Sequence, residues 1–346
     1  MTKRCKILLL MMFSIVIFVA LSALSKSDNV PTQLPKIASV SAASEQRRAA
    51  IESMGRITDL SFAPELDVEY YSMRYPDVEK DHLAHWKLFG RREGRAGSEG
   101  HFIFDQYAQQ LLNLNHSFLE VGPFYRPHVS GKNVYYADIL DTEALRARAK
   151  ALVGVDVVPH IHFHVPDGNL DAIPHVFAGV YSAHNVEHQL DLVGHLNQVE
   201  SLLLNGGYFF LRIPDKRFCF DRFIPASTMG DVLEAHFNKV AGGVHSLKSV
   251  IDGTALVSQN IPVQYWSEGD PIHVPPPDSN RVRLALERWN DNKEKYIDVH
   301  KWQFTCDTFA EIVTVLEDLH FTKFHVERVY STLRNELEFT VILQKR

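Results

Sequence analysis

Ser117-Phe118-Leu119-Glu120-Val121-Gly122-Pro123-Phe124-Tyr125-Arg126-Pro127 decides the fold. An apolar run of strand length ends in a glycine and opens into a proline-flanked turn. Upstream lies an amphipathic segment, Phe104 to Leu114. Downstream, a second strand over Asn133 to Ala137 ends in Asp138, and a helix over Thr142 to Leu152 follows. Another apolar strand, Val176 to Tyr181, leads into a helix over Leu190 to Leu204, where Asn205-Gly206-Gly207 reads as a left-handed cap. Tyr208 to Ile213 is the next strand. This alternation predicts an α/β domain with a mostly parallel sheet and helices on both faces. The end differs: a helix over Asp307 to Leu319 precedes two strands, Lys323 to Tyr330 and Leu337 to Leu343, close enough that they must pair antiparallel.

The chain has 346 residues, 36 Lys plus Arg against 42 Asp plus Glu, and a formal charge of -6. It lacks the basic field that phosphate-backbone binding requires, so nucleic acid is not an expected partner. Cys5, Cys219 and Cys306 make neither a disulfide framework nor a CxxC metal knuckle.

Lys3, Arg4 and Lys6 precede an apolar run of 18 residues from Ile7 to Leu24. At about 1.5 Å per residue a helix of that length spans roughly the hydrocarbon core of a bilayer. The flanking charges predict a type II signal anchor over 1–24, with the remainder on the non-cytosolic side: the Golgi lumen if the source is eukaryotic. A secreted form follows instead if Ala20-Leu21-Ser22 is a cleavage site. Residues 25–61, rich in Ser, Ala and Pro, read as a stalk with a short helix over Glu45 to Met54.

Residues 62–98 carry Glu69-Tyr70-Tyr71, Tyr75-Pro76-Asp77-Val78, Ala84-His85-Trp86 and Gly90-Arg91-Arg92-Glu93-Gly94-Arg95. They read as a small helical module with an aromatic mini-core. This stretch resembles a module that accompanies glycosyltransferases and other bacterial cell-surface polysaccharide proteins.

In residues 99–346, Glu120-Val121-Gly122-Pro123-Phe124-Tyr125-Arg126-Pro127 resembles the ExGxGxxxP loop of S-adenosylmethionine-dependent methyltransferases of the Rossmann-like class. Tyr181-Ser182-Ala183-His184-Asn185-Val186-Glu187-His188 resembles their SHVLEH segment, and Leu204-Asn205-Gly206-Gly207-Tyr208 their LKPGG. A narrower subgroup, linked to polysaccharide glycosyltransferases, is similar in Ile213-Pro214-Asp215-Lys216-Arg217-Phe218-Cys219-Phe220-Asp221, in Ser227 to His236, and in Asp298-Val299-His300-Lys301-Trp302-Gln303-Phe304-Thr305.

The resemblance implies a Rossmann-like, seven-stranded sheet with an antiparallel C-terminal hairpin. It also implies S-adenosylmethionine as cofactor, at the carboxyl ends of the strands. Glu120, Gly122, Pro123, Asp138, Asp167, Gly168, Ser182 and His184 are the cofactor residues so implied. Phe124 departs from the pattern, since it stands where the common loop has its second glycine.

His184, Glu187 and His188 fill an HxxEH pattern, but at a strand end and not within the long helix of a zinc peptidase. They also occupy the slots at which some O-methyltransferases acting on quinones or small RNAs bind a divalent ion through ExxEH. Here His stands for the first Glu and a distant His300 could complete the set, so a divalent metal is an optional second cofactor. His160, His162 and His164 alternate as on one strand face, most simply a solvated edge. His245 and His273 fit no pattern.

His188 and His300 are the candidate proton acceptors. About 85 residues, from Asp215 to His300, form an insertion whose Tyr265, Trp266, Trp289 and Pro275-Pro276-Pro277 suit an acceptor site or a packed lid. The expected function is O-methylation of a sugar on a secreted or surface glycan, with glycosyltransferases as possible partners. The alternatives are a scaffold or glycan-binding protein without activity, and the zinc hydrolase. A nicotinamide oxidoreductase is excluded, because GxGxxG is absent.

Overall fold

The structure, a computed structural model, describes residues 40–57, 60–238, 245–269, 274–276, 278–292 and 297–346. The expected anchor over 7–24, His273 and Pro277 lie outside the described residues. Among those described, no helix is long and apolar enough to cross a membrane.

Seven strands form one sheet in the order β3-β2-β1-β4-β5-β7-β6. They are β1 Phe118–Val121, β2 Val134–Asp138, β3 Phe163–His164, β4 Phe177–Ala183, β5 Leu203–Pro214, β6 Phe324–Tyr330 and β7 Glu338–Lys345. Strands β1 to β5 pair in parallel, while β7 runs antiparallel to both β5 and β6. The expected α/β sheet with its C-terminal hairpin is thus present.

Helices cover both faces because β1 and β4 are buried along nearly their whole length and need cover on each side. On one face pack Leu192, Leu196 and Val199 of a helix over Leu192–Leu202, with Phe309, Ile312 and Leu316 of another over Cys306–Asp318. The opposite face is covered by Phe104, Tyr107, Ala108 and Leu111 of a helix over Gly100–Asn113.

Several boundaries differ from the sequence reading. The helix expected to reach Leu204 stops at Leu202, because Leu203 is already paired with Phe177 as the first residue of β5. Gly206, at φ +77°, therefore serves a bend inside β5 and not a helix cap. Gly207 has no room for a side chain, since a Cβ there would stand 2.9 Å from Leu204 O and 3.0 Å from Ala178 O.

The His160-His162-His164 row is not one strand face. Only Phe163–His164 is strand, and each ring has its own partner: His160 with Thr142, His162 with the Tyr136 amide, His164 with the Ile139 carbonyl.

The second half of the expected stalk is not a free spacer. A helix over Val40–Met54, longer than expected, lies against the domain, with Ala43 and Arg47 buried. The Arg47 guanidinium donates to Asp171 O at 2.7 Å and Ile173 O at 2.6 Å. The helical module follows, built around Tyr71, Val78 and Trp86. It is fastened to the main domain by Arg91, which pairs with Glu65 and Asp307, and by Gly94 O, which accepts from Arg334 N.

Candidate functional site

The order of β1 to β5 reverses direction between β1 and β4, the switch point outside whose carboxyl ends open α/β sheets bind ligands. The loops after β1 and β4 meet there. Gly122 takes φ +72°, a conformation that glycine adopts without strain. A Cβ at that position would stand 3.0 Å from Asn185 Nδ2, so the absent side chain also lets the two loops close on each other. Phe124 has φ +46°, and for a bulky residue that marks local strain.

Glu120 is buried, and its two oxygens accept the His128 amide at 2.9 Å and the Val129 amide at 3.0 Å, which holds the far end of the β1 loop. Burial, opposed by those two amides, pushes its pKa up to about 7. It braces the loop from beneath. Asp138 ends β2 half-buried, accepts from Leu140 N at 2.8 Å, and has its pKa raised by burial. Ser182 is buried and its hydroxyl has no partner among the described residues. Asp167 is exposed beside Gly168 (φ +70°), in a cleft of about 420 Å³ that His164, Val165, Asn169 and Val40 help to line. A left-handed glycine turn, an unpartnered hydroxyl and a half-buried carboxylate at one switch point fit a nucleotide-bearing sulfonium cofactor, and Pro123 is buried within the same turn.

His184 begins the turn after β4. It has φ +49° and is 39% exposed at the side chain. Its Nε2 lies 2.6 Å from Glu338 Oε2, whose other oxygen takes Arg212 Nη1 at 2.5 Å. Arg212 also donates to the Tyr181 hydroxyl and to both oxygens of Asp105. Crowding works against a proton on His184, but the Glu338 contact outweighs it and raises the pKa. Burial would raise Glu338, yet His184 and Arg212 bring it down to about 2. His184 is thus committed to a buried salt-bridge network and not to the cofactor loop.

Glu187 and His188 occupy a 3-10 turn over Val186–His188. The Glu187 carboxylate is 1% exposed, and neither oxygen has a hydrogen-bond partner among the described residues. Three imidazoles surround it: His184 Nδ1 at 3.9 Å, His188 Nε2 at 3.9 Å and His300 Nε2 at 3.8 Å from Oε1. His300 Nδ1 meets Asp221 Oδ2 at 2.6 Å, and His188 Nδ1 faces Asp298 Oδ1 at 3.4 Å. Burial disfavours the His300 proton, but the Asp221 charge and hydrogen bond override it and lift the pKa to about 9. His188 is lowered, first by burial and then by the His300 charge.

Both expected proton acceptors therefore turn a nitrogen onto Glu187, and His300 keeps its proton at neutral pH. The segments are tied together, since Glu187 O accepts Lys301 N at 2.7 Å and Trp302 N at 3.0 Å.

Asp221, Asp298, Glu338, Arg212 and Asp105 were missed as site residues. Asp221 and Asp298 nevertheless stand inside the PDKRFCFD and DVHKWQFT blocks already singled out. In the former block, buried Asp215 receives Arg217 Nε and Nη2 and the Thr332 hydroxyl, which fixes the turn leaving β5. The aromatic residues of the insertion form a packed lid. Trp266 stacks on Phe218 at 3.8 Å with its indole N–H donated to Glu336 O, and the Tyr265 hydroxyl is held by Gln259 O. Neither offers an open face to a sugar.

No protein-family model and no curated protein matches the chain. Solved structures to which it is similar include a S-adenosylmethionine-dependent methyltransferase from Clostridium acetobutylicum, at 9% identity over 76% of this chain and 96% of that one, TM-score 0.35. The magnesium protoporphyrin IX methyltransferase of Synechocystis is similar at 10% identity over 80% and 93% of the two chains, TM-score 0.32. A third is the 1,6-didemethyltoxoflavin-N1-methyltransferase of Burkholderia thailandensis, at 13% identity over 84% and 94%, TM-score 0.34. Likeness at this level leaves the reaction to be argued from the chain's own residues.

Proposed function

We propose that this protein is a S-adenosylmethionine-dependent methyltransferase acting on oxygen, with a sugar hydroxyl of a surface or secreted glycan as acceptor. The observation that carries the reading is the left-handed turn at Gly122, closed against Asn185 at the switch point with Asp138 at the neighbouring strand end. Glu120, Gly122 and Pro123 would shape the turn, and Asp138, Asp167, Gly168 and Ser182 would hold the nucleoside. When bound, the cofactor supplies an electrophilic methyl group on sulfur. The protein must then hold the acceptor oxygen in line, about 3 Å from that methyl, and take or share the hydroxyl proton. Glu187 and the imidazoles of His184, His188 and His300 are the proton-accepting groups at that end of the sheet.

The glycan acceptor, a glycosyltransferase partner and a membrane anchor are supported by the resemblance of the PDKR block and by the apolar run over 7–24. Phe124 favours a second reading, a scaffold that has lost cofactor binding, because its ring crowds the turn at a strained φ. Calorimetric titration of the full chain with S-adenosylhomocysteine separates the two. The methyltransferase reading expects saturable one-to-one binding, followed by transfer of labelled methyl to glycan extracts; a flat titration leaves the scaffold.

A further inference from the structure

We propose that Glu187, His188 and His300 form the binding site of one divalent cation of borderline type, such as zinc, cobalt or manganese. This goes beyond the methyltransferase reading and does not depend on it. The three ligand atoms lie within 4.8 Å of one another. Around an ion with bonds of about 2.1 Å, tetrahedral ligands stand roughly 3.4 Å apart, so a shift of about half an ångström per ligand closes the site.

Glu187 itself points to a cation. A carboxylate 1% exposed, with neither oxygen bonded among the described residues, costs several kcal/mol unless a positive charge meets it. A proton on His300 does not suffice. Its Nδ1 already serves Asp221 at 2.6 Å, and its Nε2, at 3.8 Å from Glu187, is too far for a hydrogen bond. One imidazolium shared by two buried carboxylates leaves a negative charge over, and a dication at the centre removes it.

The surroundings match what metal-bound histidines require. Each ligand imidazole turns its second nitrogen to a carboxylate, His300 to Asp221 and His188 to Asp298, an arrangement that fixes the tautomer and aims Nε2 inward. Residues 113 positions apart are locked together by the backbone bonds from Lys301 and Trp302 to Glu187 O, so the site is assembled before the ion arrives.

The set differs from the HxxEH expectation, since His184 leaves it for Glu338 and His300 enters. Two imidazoles with one carboxylate favour borderline transition ions over magnesium or calcium, which prefer oxygen. Three protein ligands also leave a coordination position for a water or an acceptor hydroxyl.

Equilibrium dialysis of the chelator-stripped full chain against zinc, and cobalt absorption spectra, test this without cofactor or acceptor. One ion per chain is expected, with a tetrahedral or five-coordinate cobalt spectrum. Glu187→Gln should weaken binding by at least about 100-fold, and Asp298→Asn by about 10-fold. Because the Gln variant removes a buried charge, its metal-free form should melt no lower than the metal-free wild type. Zinc bound in less than stoichiometric amount at saturating concentration overturns the proposal. So does undiminished binding by both Glu187→Gln and His300→Gln, or a metal-free Glu187→Gln that melts below wild type, which would assign Glu187 to His300 alone.

Discussion

His184 Nε2 lies 2.6 Å from Glu338 Oε2, joining the end of β4 to the start of β7 across 154 positions of sequence. Glu338 also holds Arg212, so one carboxylate neutralises two cations at the mouth of the site. Truncation as Glu338→Ala leaves both without their partner. Allowing for the partial exposure of the pair, we expect a loss of about 2 kcal/mol, read from urea unfolding at neutral pH. A loss under about 0.5 kcal/mol would place the contact among surface ion pairs.

Gly122→Val tests the cradle. The native φ of +72° is costly for a β-branched residue, and its Cβ would press on Asn185. The folded chain should lose about 1–3 kcal/mol of stability, while affinity for S-adenosylhomocysteine should fall at least about 10-fold in calorimetry. Unchanged affinity would move the cofactor away from this turn.

His195 is buried against Phe209, both ring nitrogens lack a partner among the described residues, and burial lowers its pKa to about 4. The folded state therefore disfavours the proton that the unfolded chain binds with pKa about 6.5. Stability from this residue is complete above that value and declines as pH falls toward 4. Between pH 7.5 and 5 the loss should be about 2 kcal/mol. In His195→Leu this part of the pH dependence should vanish, which urea midpoints at the two pH values measure.

Arg47→Ala removes a buried guanidinium and strands the carbonyls of Asp171 and Ile173. Each unpaired carbonyl costs about 1–3 kcal/mol. Amide exchange over Val40–Met54 should rise sharply in the variant while β4 and β5 stay protected. Equal protection in both chains would mean that Ala43, Ala50 and Ile51 suffice to dock the helix.

Much of the site was written in short motifs, because a turn at a strand end is local. The glycine after Val121, the acid after Ala137 and the HNVEH run after β4 sit where period and punctuation put them. Asp221 and Asp298 lay inside quoted blocks, yet nothing in their spacing says that each would back a histidine. Glu338 and Arg212 carried no signal: each is an ordinary charged residue on a strand, and only pairing of β5 with β7 places them side by side, Arg212 against Thr340 and Pro214 against Glu338.

By itself, the amino-acid order determined the alternation of strand and helix, the closing hairpin and the chemistry at the strand ends, since period, glycine turns and cap residues act over a few positions. Tertiary structure decided which histidine serves which carboxylate. It turned His184 toward Glu338, gathered His188 and His300 about Glu187, and packed the insertion's aromatic rings inward. Those choices depend on charge balance and desolvation among residues more than a hundred positions apart, and such distances exist only once the sheet has closed.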